Sequence, residues 1–200
     1  ENGKLAWQVK ADDIDCTPLV IGDRLIYRTR NRALTCLSAT DGRQLWQKPY
    51  RKIYSTPVQG SGNIFLVVQG CEDAKSGDHY CLQCIDPADG AQEWLVPLGI
   101  RAREVLWQPD NTLLVGGGDR TVAICSAQNG SRLWNHTFGE EKQDRVQTHL
   151  VVQEGILWVG TYKGEVSAIR ITAEESALDL KDGTADPEQE AVTYALKGDL

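Results

Sequence analysis

Asp41-Gly42-Arg43-Gln44-Leu45-Trp46 states the rule on which this chain is built: an acidic or amide residue, glycine, three residues, tryptophan. The rule returns at Asp89-Gly90-Ala91-Gln92-Glu93-Trp94 and at Asn129-Gly130-Ser131-Arg132-Leu133-Trp134, and the chain opens on a further copy, Asn2-Gly3 to Trp7. Gly3, Gly42, Gly90 and Gly130 lie 39, 48 and 40 residues apart, and Trp7, Trp46, Trp94 and Trp134 keep the same intervals. A period near 40 marks a repeat architecture, in which each unit cannot bury its apolar face alone.

Between successive copies the sequence reads as short strands with turn punctuation. The first full unit runs Thr17-Pro18-Leu19-Val20, a turn at Gly22-Asp23, Leu25-Ile26-Tyr27, a polar turn, Leu34-Thr35-Cys36-Leu37, Asp41-Gly42 and Leu45-Trp46. β-rich runs of this length broken by Gly, Asn and Asp predict a four-stranded antiparallel meander. Two later units align with it, and another begins at residues 148–169 with three strands but loses the pattern at Ala173-Glu174-Glu175. Meanders of this kind hide both faces by stacking, and radial stacking gives a β-propeller. Glycine tolerates the positive φ of the turn into the last strand. The tryptophan four residues on is expected to wedge between neighbouring blades as a staple.

The segments "CLSATDGRQLW", "CIDPADGAQEW" and "ICSAQNGSRLW" resemble the pyrroloquinoline-quinone-like propeller repeat, whose usual form is Ala-Leu-Asp-x-x-Thr-Gly-x-x-x-Trp after a Thr-Pro-Val-Val strand. The resemblance covers residues 1 to about 170. It implies an all-β fold, a β-propeller of about four four-stranded blades, as part of a larger propeller or a multidomain chain. The expected organisation is propeller over 1–172, with a blade end at 1–12 and blades near 13–52, 53–100, 101–142 and 143–172. Residues 173–200 then read as an acidic linker followed by a stretch of helical look at 191–198. Because the sequence starts within a repeat and holds no Met, it is expected to have been cut from a longer chain. The alternative is that the Leu5 to Val9 segment serves as a strand completing the fourth blade.

With 41% hydrophobic and 24% charged residues the composition is that of a globular chain, and no apolar run approaches the roughly 20 residues of a membrane-spanning helix. The net charge of −7 is uneven, since residues 173–200 hold eight Asp/Glu against two Lys. The remainder is near neutral, so overall charge argues neither for nor against nucleic acid, and no nucleic-acid partner is among those expected.

The resemblance covers quinone-dependent dehydrogenases, outer-membrane assembly lipoproteins, sensor domains and many propeller modules. The dehydrogenases carry adjacent cysteines in a vicinal disulfide, a calcium site of Glu, Asn and Asp, and a catalytic Asp. No Cys-Cys pair occurs in this sequence, so neither quinone nor any other cofactor is expected, nor catalysis. His79, His136 and His149 fall in different repeats without nucleophile or carboxylate at a recognisable spacing. Gly116-Gly117-Gly118 leads from one strand to another and not into a helix, so it reads as a hairpin turn and not as a phosphate loop.

Cys36, Cys84 and Cys125 take strand positions suited to small buried thiols. Cys71 and Cys81 bracket the insertion "CEDAKSGDHYC", which lengthens one interval to 48, and a disulfide across its base is geometrically open to them. No metal site is expected there, because Cys81 and Cys84 face opposite sides of a strand. Arg28, Arg30 and Arg32 alternate through "YRTRNR" and are expected to project together toward an acidic partner or phosphate. The insertion, with Glu72, Asp73 and His79, is the second candidate contact. The reading is therefore a non-catalytic module that presents rigid loops to a protein partner, with a quinone oxidoreductase fragment or an envelope assembly scaffold as alternatives. Cysteines at core positions lean slightly toward a reducing cytosol; a Cys71–Cys81 disulfide reverses that lean toward the periplasm.

Overall fold

The computed structural model describes residues 3–30, 32–70, 80–141, 144–146 and 149–171, together with the backbone of Val192–Tyr194. It holds four antiparallel sheets of four strands, each a meander in chain order and each the blade of a β-propeller fold. The first comprises β1 (Leu19–Ile21), β2 (Arg24–Arg28), β3 (Ala33–Ser38) and β4 (Gln44–Pro49); the second β5 (Val58–Gly60), β6 (Asn63–Gln69), β7 (Tyr80–Ile85) and β8 (Gln92–Pro97). The third comprises β9 (Ala102–Trp107), β10 (Thr112–Gly117), β11 (Thr121–Ser126) and β12 (Arg132–Thr137); the fourth β13 (Val151–Gln153), β14 (Ile156–Gly160), β15 (Val166–Arg170) and β16 (Val192–Tyr194). Glu1–Gly99 forms one compact unit and Ile100–Leu200 another.

The recurring turn has a specific chemistry. Gly42, Gly90 and Gly130 have φ of 74, 70 and 73°, and each donates its N–H to the residue four before it: Ser38, Asp86 and Ser126. The residue ahead of each glycine turns its side chain onto the amide two residues on: Asp41 Oδ1 accepts from Arg43, Asp89 Oδ1 from Ala91 and Asn129 Oδ1 from Ser131. Only a short side chain with an acceptor oxygen closes this local ring, which is why Asp or Asn holds the position. The hydrogen bonds from Ser38 and the Arg43 amide also lower the pKa of the exposed Asp41 carboxyl. One residue before each repeat tryptophan the ladder slips, between Cys36 and Leu37, between Cys84 and Ile85 and between Ile124 and Cys125. The bulge re-aims the indole that follows.

In the first unit the indoles meet the next repeat. Trp7 Nε1 donates to Ala39 O at 2.8 Å and Trp46 Nε1 to Pro87 O at 3.0 Å, acceptors three residues before Gly42 and Gly90. A Cβ on Gly42 would stand 2.8 Å from Trp7 Cε3, and one on Gly90 3.0 Å from Trp46 Cε3. The glycine is thus required twice, by its positive φ and by the ring lying against it. Trp94 packs beside Phe65, with centroids 5.9 Å apart, and Trp134 stacks on His136 at 6.0 Å.

Each unit has its own core, made of alternate residues of facing sheets. In the first, Ile26, Leu34, Cys36 and Trp46 meet Ile64, Leu66, Val68 and Cys81; in the second, Leu114, Val122 and Ile124 meet Leu157, Val159 and Ile169.

Two expectations are corrected. Residues 3–10 form no strand; the segment is irregular, Leu5 is exposed, and Trp7 is its hold on the first sheet. The fourth sheet has its own fourth strand instead: Val192–Tyr194, read from sequence as helical, pairs with β15 through Val166↔Tyr194 and Ala168↔Val192. Val, Thr and Tyr are good strand formers, and the free edge of β15 offers the ladder that decides the matter. The linker expected at 173–190 lies outside the described residues.

Candidate protein-binding edge

In the first unit the chain leading into each inner strand folds back over the end of the second strand of the same sheet, with bridges Ile14↔Thr29 and Ile53↔Val68. Arg30 N donates to Asp13 O and Gln69 N to Lys52 O, the same bond in two successive repeats. Arg32 has φ 66° and turns the chain back: its N–H binds Thr29 O, and its carbonyl accepts from Tyr50 N at 2.7 Å. Arg30, Arg32 and residues 50–54 therefore share one edge.

Of the three arginines singled out from sequence, Arg28 is not available to a partner. Its guanidinium lies 2.9 Å from Asp15 Oδ1 and donates to Ile53 O, Ser55 O and Asp15 O at 3.1, 3.2 and 3.3 Å. Only 16% of the side chain is exposed. A cation enclosed this far must be matched by acceptors, and Arg28 uses them to tie the first sheet to the lead-in of the second. The alternation fails because the strand ends at Arg28 and the turn begins immediately after. Arg30 is exposed, with Asp13 at 3.8 Å, and Arg32 is exposed and makes no ion pair among the described residues.

Sequence reading missed Arg51, Lys52, Tyr54 and Tyr80. Arg51 and Lys52 are exposed on the same edge. Lys52 Nζ lies 4.9 Å from the centre of the Tyr54 ring, and Tyr54 stacks on Tyr80 with centroids 4.1 Å apart and planes at 26°. Nothing local marks this, since Tyr80 is brought to Tyr54 by the β6–β7 pairing of Gln69 with Tyr80. Tyr50, half-buried against the core of the first unit, has its hydroxyl pushed up to about 12 by burial, so it stays neutral.

Glu72, Asp73, His79 and Cys71 lie outside the described residues. Cys81 is fully buried and disulfide-bonded, whereas Cys36, Cys84 and Cys125 are free, buried thiols that burial pushes up to about 11, 12 and 11. The disulfide removes the ground for a cytosolic lean. In the second unit Glu104 binds His149 Nδ1 at 2.8 Å and the Leu150 amide at 2.7 Å, a pair separated by 45 residues that no spacing rule anticipates. The strand end at Gly116 and Gly117 carries a bulge, and a Cβ on Gly118 would stand 2.5 Å from Arg101 O, so Gly118 serves a close backbone approach. Among the described residues no three His, Cys, Asp or Glu side chains gather to hold a metal ion. Among them no helix is long and apolar enough to cross a membrane.

Repeated four-stranded blades with Asp/Asn-Gly turns and inter-repeat indoles define a β-propeller of pyrroloquinoline-quinone-like repeats. The chain belongs to the family described as outer membrane protein assembly factor BamB, whose model matches residues 1–185. No curated protein matches it. Among solved structures it is similar to BamB from Moraxella catarrhalis, with TM-score 0.66 and 19% identity over 84% of this chain and 50% of that one. The chain thus spans about half the length of that relative. It is similar also to the computationally designed Ika4 protein, with TM-score 0.64 and 12% identity over 85% of this chain and 99% of that one. A third is the quinohemoprotein alcohol dehydrogenase from Comamonas testosteroni, with TM-score 0.60 and 11% identity over 80% and 33%. These structural likenesses speak for the fold.

Proposed function

We propose that this chain is a non-catalytic protein-binding module of the cell envelope, working by rigid presentation of loops from stacked blades. The observation that carries the reading is the edge of Arg30, Arg32, Arg51 and Lys52, four exposed cations backed by a fully packed pair of sheets. Loops on a rigid frame lose little freedom on docking, which favours association. Membership of the BamB family and the disulfide at Cys81 both support an oxidising, periplasmic or envelope location. The partner of Cys81 in this reading is Cys71, and the insertion they bracket, with Glu72, Asp73 and His79, is a second contact.

The test is a photo-cross-linking residue at position 32 in cells, with position 93 on β8 as an exposed control. A discrete adduct with an envelope protein from position 32 alone is the expected result. Equal background from both positions would overturn the reading. Equilibrium dialysis against pyrroloquinoline quinone and calcium is expected to show no retained quinone; saturable retention would instead favour the oxidoreductase alternative.

A further inference from the structure

We propose that the Lys52–Tyr54–Tyr80 ladder is the anchor of a site for an acidic, aromatic-containing extended polypeptide segment, flanked by Arg30, Arg32 and Arg51. This deepens the reading above and rests on it. Tyr54 and Tyr80 are half-buried, so the stack is fixed from below while part of it faces solvent. The ammonium of Lys52 is held 4.9 Å from the Tyr54 ring centre, which restrains a side chain that is otherwise among the most mobile. A restrained cation loses less rotamer freedom when a carboxylate docks on it than a freely swinging one. The tyrosine rings add an apolar ledge, and their electropositive edges favour the face of an incoming aromatic side chain or a carboxylate oxygen.

The charge around the ladder selects the same partner. Asp15 is already occupied by Arg28, and Asp13 stands 3.8 Å from Arg30. Among the described residues neither Arg32 nor Arg51 makes an ion pair, so their charge faces outward uncompensated. Cations spread along an edge with an aromatic ledge among them suit a strand-like peptide whose carboxylates are interleaved with rings. A bare phosphate would use only the cations and leave the stack idle.

The experiment measures fluorescence anisotropy of a labelled peptide of repeated Glu-Glu-Phe on the whole chain, against versions with Gln for Glu and with Ala for Phe. The Glu-Glu-Phe peptide is expected to bind, with affinity falling as salt rises, and each altered peptide to bind about tenfold more weakly. Lys52 is exposed, so Lys52→Glu is expected to leave the fold intact and to weaken the peptide about tenfold; Tyr54→Phe retains the ring and is expected to change little. Arg32→Glu is expected to lower the salt dependence along with the affinity. Equal binding of the Gln peptide, or unchanged binding by Lys52→Glu, overturns the proposal. So does sedimentation with phosphatidylglycerol vesicles in place of any peptide binding, which would assign the edge to a membrane surface. An adduct at position 32 that Lys52→Glu leaves intact and the peptide fails to compete for would sink this inference while leaving the wider reading standing. Loss of every adduct would sink the wider reading itself.

Discussion

Replacing Trp46 by Ala is expected to cost the first unit about 3–5 kcal/mol, the usual range for emptying a large aromatic site. The ring is 8% exposed, lies over Gly90 and donates to Pro87 O at 3.0 Å. Roughly 200 Å² of buried indole at about 25 cal/mol per Å² gives about 5 kcal/mol, an upper value because unfolded chains are themselves compact. Removing the donor also leaves Pro87 O without that bond, worth about 1 kcal/mol of the total. Trp46→Phe, which keeps most of the ring and loses the N–H, should therefore cost about 1–2 kcal/mol. Trp7→Ala should cost less than Trp46→Ala, since Trp7 is only half-buried. The measurement is hydrogen exchange of the β3 and β7 amides during urea unfolding, because a chain of two units need not unfold in one step. A loss below about 1 kcal/mol for Trp46→Ala, or equal losses for Ala and Phe, would refute the role of this indole as an inter-repeat staple.

Gly90→Ala should destabilise by about 1–3 kcal/mol in the same assay, because alanine is strained at φ 70° and its Cβ would crowd Trp46; Gly62, where a Cβ meets nothing, isolates the φ contribution alone. Arg28→Met should cost about 2–4 kcal/mol in urea melts by leaving Asp15 and two carbonyls unmatched, whereas Arg32→Glu should leave the melt within about 0.5 kcal/mol. Buried Cys36, Cys84 and Cys125 have folded pKa values of about 11, 12 and 11 against 9.0 unfolded. The folded state holds protons longer, so stability is full below about pH 9 and falls as pH climbs toward 12; a melt that is flat across that window would contradict their burial. Under native conditions near pH 8 the half-exposed Cys16 should alkylate first, and peptide mapping without reductant should find Cys81 linked to Cys71.

Several features were legible because they are local and recur. The Asp/Asn-Gly turn is a ring of a few atoms closed by neighbouring residues, and short apolar runs bounded by turn residues report strands buried on both faces, as at Ile64 to Val68. Three copies of one solution reinforce each other, as at Gly42, Gly90 and Gly130. The buried cysteines followed from the same alignment, since Cys36 and Cys84 lie two residues, and Cys125 one residue, before the turn's first acceptor. The candidate site was only partly legible. Exposed arginines in a hairpin point to an edge, but alternation alone does not reveal where a strand stops.

What the sequence by itself determined is the repeat: its turns, its strands but for the last, the tryptophan on the last strand of three sheets and the family those residues mark. Only the tertiary structure decided that Arg28 turns inward to carbonyls of the next repeat, that Tyr80 stacks on Tyr54 with Lys52 beside it, that Glu104 holds His149, and that Val192–Tyr194 joins β15 as a strand. The physical reason is range. Turn closure and pleating are set within a few bonds and show as periodicity, whereas these contacts join residues tens of positions apart whose meeting depends on how sheets stack and where a ladder edge stands open.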